Sequence, residues 1–164
     1  MKLEFPYQIV TFLDKEPTLN EPVYYGKNGW YPQLALKRRF GLQSIDEDEL
    51  VTILQGILTT QRGLKILTGN LVKPENMPVR VIDIKNQDEI AAVHQQIFTH
   101  LEGIAISRYP EREGDNYYAH ITAEYADQLV ITVDDFVNKA FTMRNLWILK
   151  DINDRNSVAY SKVF

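Results

Sequence analysis

His120 and Thr122, a histidine and a threonine two residues apart, are the side chains whose types and spacing most directly suggest chemistry. They sit in residues 117–125, Tyr-Tyr-Ala-His-Ile-Thr-Ala-Glu-Tyr, where aromatic and β-branched residues favour a strand. Alternate side chains of a strand point the same way, so Tyr118, His120, Thr122 and Glu124 are predicted to share one face. Imidazole and hydroxyl then lie about 7 Å apart along the backbone. Such a pair can grip a phosphate oxygen and pass a proton to it. A histidine that merely precedes a strand threonine has the same appearance, so the chemistry needs a second group.

Residues 30–40, Trp-Tyr-Pro-Gln-Leu-Ala-Leu-Lys-Arg-Arg-Phe, offer a place for one. The strand predicted over 32–40 begins at a proline, where strands tolerate it. Gln33 and Ala35 stand where a second histidine and a second hydroxyl could have stood. Strict alternation puts Gln33, Ala35, Lys37 and Arg39 on one face and Leu34, Leu36, Arg38 and Phe40 on the other. Lys37 and Arg39 could then greet a phosphate, or form a solvated basic strand end.

The totals bound the possibilities. At 164 residues the chain holds one full core, and a single domain over 1–164 is expected. A net charge of −4 opposes bulk binding to duplex DNA, which a basic excess would drive. With no cysteine, disulfides, thiolate metal sites and cysteine nucleophiles are excluded. The three histidines are His94, His100 and His120; the first two fall too far round one helix to form a metal pair, and no metal or cofactor is expected. Neither a signal segment nor an 18-residue apolar run is visible, so the expectation is a cytoplasmic protein that does not enter a membrane.

The elements that must position these residues follow from periodicity. Residues 7–13 read as a buried strand, and 14–29, with Pro17, Pro22, Gly26 and Gly29, as a loop ending among Tyr24, Tyr25, Trp30 and Tyr31. That aromatic cluster could stack a base or roof the core. Ser44 to Glu47 reads as a capping box for a helix with Leu50, Leu54, Ile57 and Leu58 on its stripe, stopped at Gly63. Strands are predicted at 64–72 and 79–84, then a helix from Asn86 carrying Ile90, Val93, Ile97 and Leu101, closed at Gly103. A charged loop over 108–116 leads into the His120 strand; its Arg108 and Arg112 could close over an anion or stay solvated. A third helix is predicted from Thr132 through about Phe141, and a hairpin from strands at 143–149 and 158–163. The Gln33 and His120 strands occupy corresponding places in two halves. The expected fold is α+β, with two pseudo-symmetric lobes whose largely antiparallel sheets form a central cleft with helices outside.

This layout resembles the two-histidine phosphoesterase superfamily, which contains 2′-5′ RNA ligase-like proteins and cyclic phosphodiesterases. Its members carry two His-x-Thr/Ser motifs facing each other across a cleft. His120-Ile121-Thr122 is similar to the second motif, while Pro32 and the run 36–40 resemble the frame of the first, which here holds Gln33 and Ala35. The strand pair within 67–84, Val93-His94, and the closing hairpin over 147–164 agree in order. The resemblance implies a cleft binding a nucleotide or RNA-terminal phosphate, with His120 and Thr122 catalytic and Gln33, Lys37, Arg39 and Tyr118 binding substrate. In the family one histidine takes a proton and the other gives one. Glutamine cannot titrate near neutrality and alanine cannot donate, so half the machinery is expected. Three readings stay open: a slow cyclic phosphodiesterase, a binding module without turnover, and an interaction scaffold in which the motif is chance.

Overall fold

The computed structural model describes residues 4–24, 31–153 and 156–164. Tyr25 and Trp30 of the aromatic cluster lie outside the described residues, as do positions 154 and 155 of the closing turn. Strands β1 (Tyr7–Phe12), β2 (Pro22–Tyr24) and β3 (Gln33–Leu42) precede helix α1 (Glu47–Leu58). Next come β4 (Lys65–Val72), β5 (Val81–Ile84), helix α2 (Gln87–His100) and β6 (Ala105–Ser107). The chain ends with β7 (His120–Thr122), β8 (Glu124–Tyr125), β9 (Gln128–Leu129), β10 (Ala140–Thr142), β11 (Trp147–Asp151) and β12 (Asn156–Lys162).

One antiparallel sheet runs β10-β4-β5-β7-β3-β1-β11-β12-β2, with β6 also beside β3 and a separate β8-β9 hairpin. Both helices pack against it. Leu50, Leu54 and Leu58 of α1 and Ile90, Val93 and Ile97 of α2 join Ile9, Leu34, Leu36, Ile66, Ile82 and Ile121 in one core. A second, smaller cluster holds Val10, Phe12, Val23, Trp147, Leu149 and Ala159, with Tyr31 against it. Because consecutive β1 residues Ile9 and Val10 enter different clusters, both faces of that strand are buried, which accounts for its unbroken apolar run. The protein is thus a mixed α+β fold with helices packed on a large antiparallel sheet. Among the described residues no helix is long and apolar enough to cross a membrane.

Several local expectations are corrected. The capping box is formed by Asp46 and Glu49, each side chain accepting from the other's backbone N–H at 2.9 and 2.8 Å, two residues beyond the predicted Ser44 and Glu47. Glu47 instead reaches Lys150 Nζ at 2.6 Å and accepts from the hydroxyls of Tyr7 and Tyr160. Asn86 precedes α2 without a side-chain cap, because its amide bridges Leu67 N and Lys65 O on β4.

The predicted third helix is a single 3-10 turn, Val133–Asp135, followed by β10. Thr68 prevents its continuation: its hydroxyl donates to Phe136 O and accepts from Lys139 N at 2.8 Å, while Asn138 N donates to Gly69 O at 3.0 Å. One i to i−4 bond forms, from Val137 N to Val133 O at 3.1 Å, and the diverted Phe136, Asn138 and Lys139 groups stop the ladder there. The strand predicted over 117–125 is likewise shorter, because Ala123 separates β7 from β8.

Asn145 supports the junction of β1 and β11. It is 4 % exposed, its carbonyl oxygen accepts from Phe12 N at 2.9 Å, and its amide donates to Phe12 O at 3.0 Å. Asn145→Ala strands two backbone groups, and about 2–4 kcal/mol of stability is expected to go with them. Urea unfolding should show a lowered midpoint at unchanged slope; a midpoint equal to that of the parent protein would refute this account.

Candidate functional site

Two short pairings place the His-x-Thr strand inside the sheet, between β5 and β3. Asp83, Ile82 and Val81 of β5 lie opposite His120, Ile121 and Thr122, and Leu34 of β3 lies opposite Ile121 from the other side. Ile121 and Leu34 point into the helix-side core, so His120 and Thr122 point to the other face. One further step of the antiparallel register sets Ala35 beside His120 and Gln33 beside Thr122. Gln33 and His120 are then diagonal neighbours, with a spacing of roughly 7–8 Å. Gln33 is 9 % exposed, and its side-chain carbonyl has no hydrogen-bond partner among the described residues.

His120 is nearly buried, and its tautomer is fixed by its contacts. Nδ1 donates to Tyr118 O at 2.9 Å, since a carbonyl can only accept. Nε2 lies 2.5 Å from Arg38 Nη2, and because a guanidinium can only donate, Nε2 carries a lone pair. The ring is therefore neutral. Burial pushes its pKa down, helped by Arg38 and more weakly by Arg112, to about 4. Tyr118 stacks on the ring at 5.5 Å between centroids and donates to Asp83 Oδ1 at 2.7 Å. Burial, and then that bond to Asp83, raise the tyrosine's pKa above its ordinary value.

The basic run of β3 does not follow strict alternation. Lys37 is buried, with Nζ 2.6 Å from Glu113 Oε1 and 2.9 Å from Ser107 Oγ. Arg39 pairs with Asp151, which also accepts from Ser157 Oγ at 2.6 Å. Arg38, which alternation places on the far face, is the one that meets His120. The physical cause is a pair of register shifts between β1 and β3. No residue type in the run announces them.

A cleft of about 450 Å³ opens beside this contact. Arg38, Arg39, Tyr109, Arg112, Tyr118 and His120 line it, together with the turn between β4 and β5. Of the six residues singled out from the sequence, His120, Tyr118 and Arg39 reach the cleft; Thr122, Gln33 and Lys37 are not in its wall. Arg108 and Arg112 both lie over the Tyr109 ring, at 5.4 and 5.8 Å. Glu124 is held by Arg80 at 2.5 Å rather than by Lys37 or Arg39.

The loop forming one wall is tied down by His94. Its Nδ1 donates to Leu36 O at 2.7 Å, its Nε2 accepts from Gly114 N at 3.0 Å, and its ring stacks on Tyr117 at 4.1 Å. Exposed His100 donates to Gln96 O at 2.8 Å within its own helix. Among the described residues no three histidine or carboxylate side chains gather as they would to hold a metal ion.

The cleft wall carries charges of both signs, Arg38, Arg39 and Arg112 with Glu75, Glu111 and Glu113. At neutral pH His120 is an acceptor, and no second titrating side chain occupies the corresponding place on β3. No protein-family model matches the chain, and no curated protein matches its sequence.

A pH effect on stability follows. An unfolded histidine gains its proton near pH 6.5, whereas folded His120 resists until about 4. The unfolded state therefore binds more protons between those values, so stability is fully present above about 6.5 and falls as pH drops through the window, by about 3 kcal/mol in all. Burial also lowers the pKa of His94, which acts with the same sign. Chemical denaturation across this range should show His120→Gln losing less stability on acidification than the parent; equal losses would contradict the buried, neutral ring.

Proposed function

We propose that this protein is a degenerate relative of the two-histidine phosphoesterases that binds a nucleotide or RNA-terminal phosphate and turns it over slowly or not at all. On this reading the halves of the sheet meet at the β3–β7 seam as two lobes of one domain, and the cleft beside His120 receives the phosphate. The observation that carries the reading is the Arg38 guanidinium against His120 Nε2 in the wall of that cleft. A guanidinium is suited to a phosphate's oxygens, and the cavity size suits a nucleotide-sized ligand. The adjacency of Gln33 and His120 through the Leu34–Ile121 pair also supports it.

The loss of turnover rests on chemistry. Phosphodiester opening needs one group to take a proton and another to give one. Gln33 can do neither, and His120 holds its lone pair against Arg38. One observation favours the rival reading of a scaffold: both His120 nitrogens are already bonded and the ring is 7 % exposed, as in a structural histidine.

Incubation with a 2′,3′-cyclic nucleotide separates these readings. Saturable binding is expected, with monophosphate formation some 10²–10⁴-fold below that of a site with two titrating groups. Restoring the first motif with Gln33→His and Ala35→Thr together should raise turnover by a comparable factor, and His120→Ala should abolish the gain. A parent protein that shows no saturable binding sinks the proposal in favour of the scaffold.

A further inference from the structure

A phosphate accounts for little of this cleft. The volume of about 450 Å³ and the mostly apolar wall are those of a pocket for a small organic ligand. In such a pocket, burial of apolar surface supplies affinity and a few polar groups set orientation. The charges in the wall are of both signs and offset one another at a distance, so long-range attraction of an anion adds little.

Among the aromatic rings of the wall, Tyr118 is the one prepared to receive a flat ligand. It is half-buried, its hydroxyl is fixed on Asp83 Oδ1 at 2.7 Å, and its ring stacks on the His120 imidazole, 15° from parallel at 5.5 Å between centroids. Because that imidazole is neutral, the pair is an uncharged π surface whose orientation is already set, and little freedom is lost when a further ring lies on it. Tyr117 is spent elsewhere: it stacks on His94 at 4.1 Å and donates to Ala35 O at 2.8 Å. Tyr109 already carries the guanidinium groups of Arg108 and Arg112.

The turn between β4 and β5 adds apolar Pro74 and Met77 to the wall, with the exposed side chains of Glu75 and Asn76. A carboxylate accepts from amino N–H groups and repels a phosphate, while an amide both donates and accepts. Those are the needs of a base edge. We infer that the cleft recognises the base of the nucleotide: the nucleobase stacks on the Tyr118 ring and turns its hydrogen-bonding edge towards Glu75 and Asn76. This rests on the phosphate-binding reading of the cleft and names the part of the nucleotide that the protein selects. Stacking between a base and an aromatic side chain changes affinity about five- to 150-fold.

Three probes separate base from phosphate in calorimetric titrations of the whole chain: adenosine 5′-monophosphate, ribose 5-phosphate, which lacks the base, and adenosine, which lacks the phosphate. Adenine is chosen for its large π face and its amino group. The monophosphate is expected to bind about five- to 150-fold more tightly than ribose 5-phosphate. Tyr118→Leu should pull that ratio towards one, and Tyr118→Phe, which keeps the ring, should preserve it. Nuclear Overhauser contacts between the adenine C–H protons and the Tyr118 ring protons should appear in the parent protein, an observation that needs no variant. Equal binding of the monophosphate and ribose 5-phosphate, or a ratio that survives Tyr118→Leu, overturns the inference while leaving the cleft as a phosphate site. Adenosine binding as tightly as its monophosphate, with those contacts present, upholds recognition of the base and overturns the phosphate reading. Absence of saturable binding by all three overturns both.

Discussion

Between the pairs Val10–Ala35 and Tyr7–Phe40, β1 advances three residues while β3 advances five, and the two surplus residues must leave the ladder. The rest of the site depends on that mismatch. Without it, Lys37 and Arg39 would stand together on the face of Ala35, and Arg38 would face the helices. With it, three consecutive cations go to three destinations: Lys37 to the buried Glu113, Arg38 to His120, and Arg39 to Asp151. In a run that reads as one basic patch, Lys37 and Arg39 form ion pairs on separate elements while Arg38 lies against an imidazole.

The same mismatch fixes the wall of the cleft. Lys37 binds Ser107 at the start of the loop between β6 and β7 and Glu113 near its middle, while His94 bridges Leu36 O to Gly114 N one residue further on. Removing one partner of a buried pair strands a charge at about 3–5 kcal/mol, far more than an exposed pair contributes. The loop carrying Tyr109 and Arg112 is therefore held from β3 by a charged tether and a neutral one. Arg38 sits on the same strand, so the cleft-lining Arg38, Tyr109 and Arg112 share one rigid support.

Much of this architecture is legible in the sequence, and the failures have identifiable causes. The apolar stripes at Leu50, Leu54 and Leu58 and at Ile90, Val93 and Ile97 gave both helices because burial enforces their period. The unbroken run in β1 gave a strand buried on both faces. The helix over 132–141 failed because a threonine sixty-odd residues earlier takes its backbone groups, which no local propensity records. The capping box moved from Ser44 to Asp46 because two overlapping Ser/Asp-x-x-Glu patterns compete and only the register of α1 on the core decides between them. His120 was visible as a side chain on a strand, but its partner was not. A surplus residue in a strand leaves no compositional mark, so Arg38 was assigned to the wrong face.

Electrostatics at the seam then separates holding charge from cycling it. At rest, His120 is neutral and Gln33 cannot ionise, so neither side chain adds a charge beside the Arg38 guanidinium. A buried amide carbonyl without a partner, as at Gln33, costs about 1–3 kcal/mol. Rotating that amide presents its NH2 instead, so the position can meet either an acceptor or a donor without gaining or losing a proton. That versatility serves binding, where a hydrogen bond of either sense is enough. Turnover asks for a group that changes protonation twice per cycle and a second group that does the opposite at the same phosphorus. Of Gln33 and His120, only His120 can titrate. On the proposed reading, the exchange of histidine for glutamine on β3 therefore left the means of gripping an anion and removed the reciprocal proton transfer that would release a product.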